Sequence, residues 1–341
     1  MATRSPRISH AFFPGFDVFR GIGILFVLLA HTPTRNPIAG ALRPLGALGV
    51  HMFFALSGFL ITYRLVEEHA QTGRISLASF YMRRVRRILP PAVIYLAVLA
   101  ILGPVLHWLP SSPKEIAAAL LFWRNIYQPP LPAAWYTSHF WSLSLEEQFY
   151  FFWPTVLFLL GPHRRRATWA ATGIILATSL WRVYLLHIDP SANMYRPHLL
   201  ADHLLWGCVI GLNWSRLRLP AATRAWLGFV GMGAATFLIY RQPPFWQPFF
   251  AFCVAFGFIL AADAIESWAS RRMIFRKLGE ASYDIYIWQS LFLPLPLAGM
   301  ALPLAQRIPW GYFSIAIVAG GSFLLTFPRR RKQEAAASRK P

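Results

Sequence analysis

FDVFRGIGILFVLLAHT, residues 16–32, decides what kind of chain this is. Between Arg20 and His31 every residue is apolar or glycine. Eleven residues of helix turn through about 1100°, so Arg20 and His31 share a face to within about 20° and lie ~16 Å apart along the axis. Asp17 sits one turn before Arg20 on the same stripe. An ionisable group in such a helix costs ~2.5–3.5 kcal/mol on insertion scales and normally faces a polar interior or a cavity. The stripe is therefore a candidate functional site. The alternative is that Asp17 and Arg20 flank the cytoplasmic end of a span while His31 caps the other end.

Composition agrees with a membrane chain. The 341 residues are 56% hydrophobic, 16% aromatic and only 13% charged, where soluble domains carry about 25% charged residues. The mean hydropathy is +0.44. The fold class this predicts is an all-α polytopic integral membrane protein. Segments of spanning length fall near 16–33, 45–65, 88–109, 143–160, 168–187, 198–214, 225–240, 246–262, 282–304 and 309–327, about ten helices in all. The ninth contains Pro294, Pro296 and Pro303, which predicts a kink or a break. Cys208 and Cys253 both lie in apolar stretches, so no disulfide framework is implied.

Charge gives an independent test of the topology. With a cytoplasmic N-terminus and ten spans, the basic clusters fall on one side: Arg83 to Arg87, Arg164 to Arg166, Arg271 to Lys277 and the tail from Arg329. The opposite side holds scattered single residues, Arg35, Arg43, Lys114, Arg124, Arg196, Arg241 and Arg307. The positive-inside rule then places both termini in the cytoplasm, with the chain multi-pass in the cell inner (plasma) membrane. The net charge of +20 needs no nucleic-acid partner, because topology and attraction to the anionic lipid bilayer account for it. Residues 1–15 and 328–341 read as cytoplasmic basic tails around a single transmembrane domain, 16–327. No cleavable signal peptide is expected. The longest external loop, 110–141, carries an amphipathic stretch, KEIAAALLFWRNIY, suited to a lid or re-entrant element.

Three further stretches carry possible chemistry. FYMRRVRRILP, 80–90, sets four arginines in five positions where the third span starts. Arg83 and Arg87 are i,i+4 neighbours and Arg84 points elsewhere. The run reads either as positive-inside anchoring or as an anion site, since guanidinium grips phosphate at two points. In GALGVHMFFALSGFLIT, 46–62, Gly46, Gly49, Ser57 and Gly58 favour close helix packing, and His51 reads as a core histidine. In HFWSLSLEEQFYFFWP, 139–154, Ser144 and Glu147 have capping-box spacing. Glu146 pairs at i,i+4 with Ser142 on one side and Tyr150 on the other. Glu146 would enter its span at the level of His31, where a histidine and a carboxylate make a general base with its orienting partner. No zinc-ligand spacing, phosphate-binding glycine loop or GxSxG motif is present, so no metal is expected.

Together these motifs, in this order, resemble the bacterial membrane-bound acyltransferase-3 family of O-acyltransferases. FDVFRGIGILFVLLAH (16–31) is similar to its opening motif. GVHMFFALSGFLIT (49–62), FYMRRVRRILP (80–90) and HFWSLSLEEQFYFFWP (139–154) follow, and LGEASYDIYIWQS (278–290) resembles its late Ser-Tyr-x-x-Tyr-x-Trp segment. The resemblance implies transfer of an acyl group, often acetyl, from cytoplasmic acyl-CoA as co-substrate to a hydroxyl on a glycan or small metabolite, with no bound cofactor. It implies His31 as the catalytic base, Arg20 as its companion and Glu146 as the motif acid. It also implies that Arg83, Arg84 and Arg87 handle the acyl donor.

Supporting positions are Asp17, Ser142, Tyr150, Arg196 and Asp202. The chain departs from the family pattern at His51, where many members have aspartate, and at Gln289, where many have histidine. It departs again at Leu200, where an arginine often stands two before the aspartate that is Asp202 here. No fused esterase-like domain is expected. The rival reading is a membrane carrier or flippase for a polar or glycan-linked substrate, in which the buried charges line a translocation path.

Overall fold

A computed structural model describes residues 13–31, 40–105, 112–129, 134–161, 163–189, 194–241, 246–271 and 273–293. The tenth predicted span, the prolines of the ninth, residues 1–12 of the N-terminal tail and the whole C-terminal tail lie outside the described residues, while Pro14 and Gly15, expected in the tail, already belong to the first helix. Every repeating element among the described residues is helical. The long helices are α1 (Pro14–His31), α2 (Pro44–Thr72) and α3 (Leu77–Leu102). Two short helices, α4 (Pro113–Leu120) and α5 (Trp135–Ser138), precede α6 (Phe140–Leu160), α7 (Arg164–Ile188) and α8 (Pro197–Asn213). Then come α9 (Ala221–Arg241), α10 (Gln247–Ala264), the short α11 (Glu266–Ala269) and α12 (Met273–Phe292). Six of these, α1, α2, α3, α7, α9 and α10, are long and apolar enough to cross a membrane.

Sidedness of burial follows from position in the bundle. Helix α2 is central and packs against α1, α8 and α10, while α9 leans on α10 and α7 on α8. The outer helices turn Ile101, Phe151, Leu159, Trp169, Leu180 and Phe237 outward. Apolar surface of that extent is what a bilayer covers. One core forms around Tyr95, Phe140 and Trp153, and a second around Phe16, Phe59 and Phe258. A third core, with Ile24, Leu28, Val50, Phe54 and Leu145, joins α1, α2 and α6.

Close crossings need glycine. A Cβ on Gly207 of α8 would stand 2.1 Å from the Ala55 carbonyl oxygen, and one on Gly58 of α2 would stand 2.0 Å from the Leu204 oxygen. The two backbones are in direct contact, as small residues permit in membrane helices. Gly207→Val is therefore expected to yield no monodisperse folded protein on size exclusion. Wild-type yield with an unchanged melting midpoint would show that the crossing can relax.

Several boundaries differ from expectation, each for a local reason. Helix α3 starts at Leu77, capped by Ser76, whose hydroxyl accepts the Ser79 N–H. The arginine run thus lies inside the helix rather than at its edge, and the helix continues through Pro90 and Pro91. The capping box at Ser144–Glu147 does not form. Helix α6 has already begun at Phe140, and the Ser144 hydroxyl donates to the Phe140 carbonyl and accepts the Arg124 N–H. A complete capping box does occur at Ser112–Glu115, starting α4. The amphipathic stretch is helical only to Leu120 and then turns at Phe122, whose φ is 52°.

Candidate active site

The stripe on α1 spans the height of the site. Arg20 pairs with Asp17 at 3.5 Å. Helix α12 lies directly against this end of α1, because a Cβ on Gly279 would fall 1.7 Å from the Asp17 carbonyl oxygen. That contact sets Ser282, Tyr283 and Tyr286, on the next turns of α12, beside the cavity that Arg20 faces. At the other end, the His31 Nδ1–H donates to the Val27 carbonyl at 2.8 Å. With Nδ1 protonated, the neutral imidazole carries its lone pair on Nε2. The Val27 carbonyl thus fixes the tautomer a general base needs.

A first cavity, of about 90 Å³, brings together Arg20, Arg84, Arg87, Glu146 and Tyr150 from α1, α3 and α6. The Tyr150 hydroxyl donates to Glu146 Oε2 at 2.7 Å, and the Ser57 hydroxyl donates to Oε1 at 3.4 Å. The Arg84 guanidinium lies over the Tyr150 ring, 4.5 Å from its centroid, a cation–π contact favoured away from water. Three guanidiniums thus line this cavity beside the Glu146 carboxylate, with Arg20 also paired to Asp17. The arginine face differs from the expected one. Arg84 and Arg87, at i,i+3, enter the cavity, whereas Arg83 is half exposed and faces Glu68 at 3.7 Å.

A second cavity, of about 390 Å³, holds His31 with Arg124, Trp135, His139, Trp141 and Tyr195. The Trp135 ring stands edge-on to His31 with centroids 5.6 Å apart. Trp141 and Tyr195 meet at 4.4 Å. Val50 and Tyr286 line both cavities. Glu146 is thus not brought to His31: its carboxyl is engaged in the arginine cavity, and the Val27 carbonyl orients the imidazole. Ser142 does not bond Glu146 either. It pairs with the Tyr286 hydroxyl at 2.6 Å, and that hydroxyl donates to the His139 carbonyl at 2.9 Å.

Residues that sequence reasoning left unassigned hold the second cavity in shape. His139 Nε2–H donates to the Ile287 carbonyl at 3.1 Å, and the Ser290 hydroxyl meets Nδ1 at 2.9 Å. Arg124 is buried, donating to the Thr137 hydroxyl at 3.1 Å and to the carbonyls of Tyr127 and Ala134. These bonds tie the loop after α4 to α5 and the top of α6. The signals were present: His139 abuts the WSLSLEE motif, and Tyr286 stands in the late aromatic one.

Asp202 belongs to a separate network. Its carboxylate accepts two hydrogen bonds from Arg182, at 2.9 and 2.6 Å, and meets His203 Nδ1 at 3.0 Å. His51 stacks on His203 with ring centroids 4.2 Å apart. Arg196 is not in this cluster and stands at the N-cap of α8. Gln289 is buried, and its amide makes no hydrogen bond among the described residues.

Comparison with known proteins bears on this arrangement. A family model described as an acyltransferase domain matches residues 13–327. The chain belongs to the acyltransferase-3 family. It is 27% identical over 320 residues to the peptidoglycan O-acetyltransferase OatA of Listeria monocytogenes, covering 84% of this chain and 50% of that one. It is likewise 27% identical over 318 residues to the O-acetyltransferase OatA of Staphylococcus aureus, covering 82% and 50%. The chain therefore spans about half the length of the curated relatives it matches. No solved structure matches it.

Proposed function

We propose that this chain is a multi-pass O-acetyltransferase of the bacterial inner (plasma) membrane, moving acetyl from cytoplasmic acetyl-CoA to a glycan hydroxyl, with His31 as general base. In this reading about ten helices span the bilayer and both termini are cytoplasmic. The observation that carries it is the pair of cavities: one gathers Arg20, Arg84 and Arg87, the other holds His31 among aromatic walls, and Tyr286 and Val50 are common to both. The relatives named for peptidoglycan O-acetyl transfer support the glycan acceptor.

The anionic part of the donor sits with the arginines, where charge-assisted bonds hold phosphate. The ~16 Å rise along α1 between Arg20 and His31 means that the donor's extended arm must bring the thioester up to Tyr286. Trp135, Trp141 and Tyr195 offer flat apolar faces to a sugar ring. His31 Nε2 takes the acceptor proton as the hydroxyl oxygen bonds to the thioester carbonyl carbon. The carbon–sulfur bond then breaks, and the proton passes to the departing thiolate. A relay through an acetyl-imidazole would use the same lone pair.

The test is release of free CoA thiol by the purified protein in a bilayer mimic, with and without cell-envelope glycan. Glycan-dependent release is expected. Folded protein that neither binds CoA nor releases thiol would reject the reading in favour of a carrier. Arg84→Ala should raise the KM for acetyl-CoA about tenfold, the loss of one charge-assisted contact. Arg83→Ala should leave that KM near wild type. Equal effects of the two would show that the cavity face does not bind the donor.

A further inference from the structure

We infer that Tyr286 is the partition that couples donor to acceptor: its ring separates a thioester in the arginine cavity from water in the His31 cavity until an acceptor fills the latter. This rests on the proposed acetyl transfer. The observation beneath it is geometric. Among the described residues, Tyr286 and Val50 are the two that stand in the walls of both cavities. Val50 is apolar, buried and has no tether to offer. Tyr286 is held at its tip by the His139 carbonyl and the Ser142 hydroxyl.

The tether is itself anchored. His139 is bonded back to α12 through Ile287 and Ser290, and the Trp135 indole donates to the Ser290 carbonyl at 3.1 Å. The seam between the start of α6 and α12 is therefore fixed on both sides of the tyrosine. Water within reach of the His31 base takes the acyl group in place of an acceptor: the imidazole accepts a proton as the water oxygen bonds to the carbonyl carbon, the carbon–sulfur bond breaks, and acetate, a proton and free thiol result. Excluding water from a reactive intermediate is the usual remedy. Here one ring stands where that exclusion is required.

The experiment compares glycan-independent with glycan-dependent thiol release in wild type, Tyr286→Ala and Tyr286→Phe, with Tyr286→Leu in reserve should the alanine variant not fold. Tyr286→Ala is expected to raise the ratio of futile to productive release about tenfold, whereas Tyr286→Phe, which keeps the ring, stays within about threefold of wild type. A second readout needs no turnover. Ser282→Cys, on the wall of the arginine cavity, is labelled in membrane vesicles with an impermeant maleimide added at either face. Labelling from one face is expected with Tyr286 present, and from both faces in the Tyr286→Ala background. The inference is overturned if folded Tyr286→Ala loses both reactions in proportion, or if labelling stays one-sided. If wild type transfers nothing from acetyl-CoA, the proposed function fails by itself, and the labelling alone decides the partition.

Discussion

Replacing His31 by alanine is expected to cut glycan-dependent thiol release by roughly 10²–10⁴-fold, the usual contribution of a positioned general base. The loss should fall on kcat, because the proposed function has the donor held by Arg84 and Arg87, which line the other cavity. The fold should survive, since His31 is the last residue of α1 and its hydrogen bond runs to Val27 in its own helix. Melting midpoint and elution volume check that point. A loss of less than about tenfold in folded protein would remove His31 from the proton transfer. Glu146→Gln separates the two arrangements of the acid. If Glu146 oriented His31, neutralising it would move the pH midpoint of kcat. The carboxylate is instead bonded to Tyr150 and Ser57, so the midpoint is expected to stay and the change to appear in the KM for the donor.

The long helices were legible because each carries its own run of apolar residues, as a bilayer requires of each helix separately. Nine of the predicted segments overlap α1, α2, α3, α6, α7, α8, α9, α10 and the second half of α12, and six of these helices are long and apolar enough to cross a membrane. Their ends were less legible. Helix α3 extends eleven residues before the apolar run, since a helix entering polar surroundings needs no apolar residues, only a cap such as Ser76. The convergence of Arg20 with Arg84 and Arg87 was half legible. Each sits at a readable height, but which arginine of a run turns inward depends on the rotation of α3, and Tyr150 and Glu68 settle that. The pairing of Glu146 with His31 assumed that equal depth means contact. Depth fixes one coordinate only. Tyr286, from a helix more than a hundred residues away in sequence, stands in the wall between them.

Asp202→Ala is expected to destabilise the fold by about 3–5 kcal/mol, the cost of leaving a buried charge without its partner. The Arg182 side chain is 1% exposed and the Asp202 side chain is fully buried. Once the carboxylate is gone, a guanidinium fixed between α7 and α8 keeps the Leu199 carbonyl, at 2.6 Å, as its remaining acceptor among the described residues. His203 loses its contact at the same step, and with it the partner that orients the imidazole stacked on His51. The double variant Arg182→Met, Asp202→Leu removes both charges and should recover most of the loss, because well-packed apolar replacements of a buried pair are often neutral. Arg196→Ala, by contrast, removes a side chain outside the cluster and should stay within about 0.5 kcal/mol of wild type. The measurement is unfolding in detergent, followed by tryptophan fluorescence, for all three variants. Neither cavity wall includes Arg182 or Asp202, so activity per folded molecule should be unchanged in the double variant. Full stability with abolished transfer in that variant would instead move Asp202 into the acceptor side of the site. Arg196→Ala as costly as Asp202→Ala would mean that the carboxylate answers to Arg196 and not to Arg182.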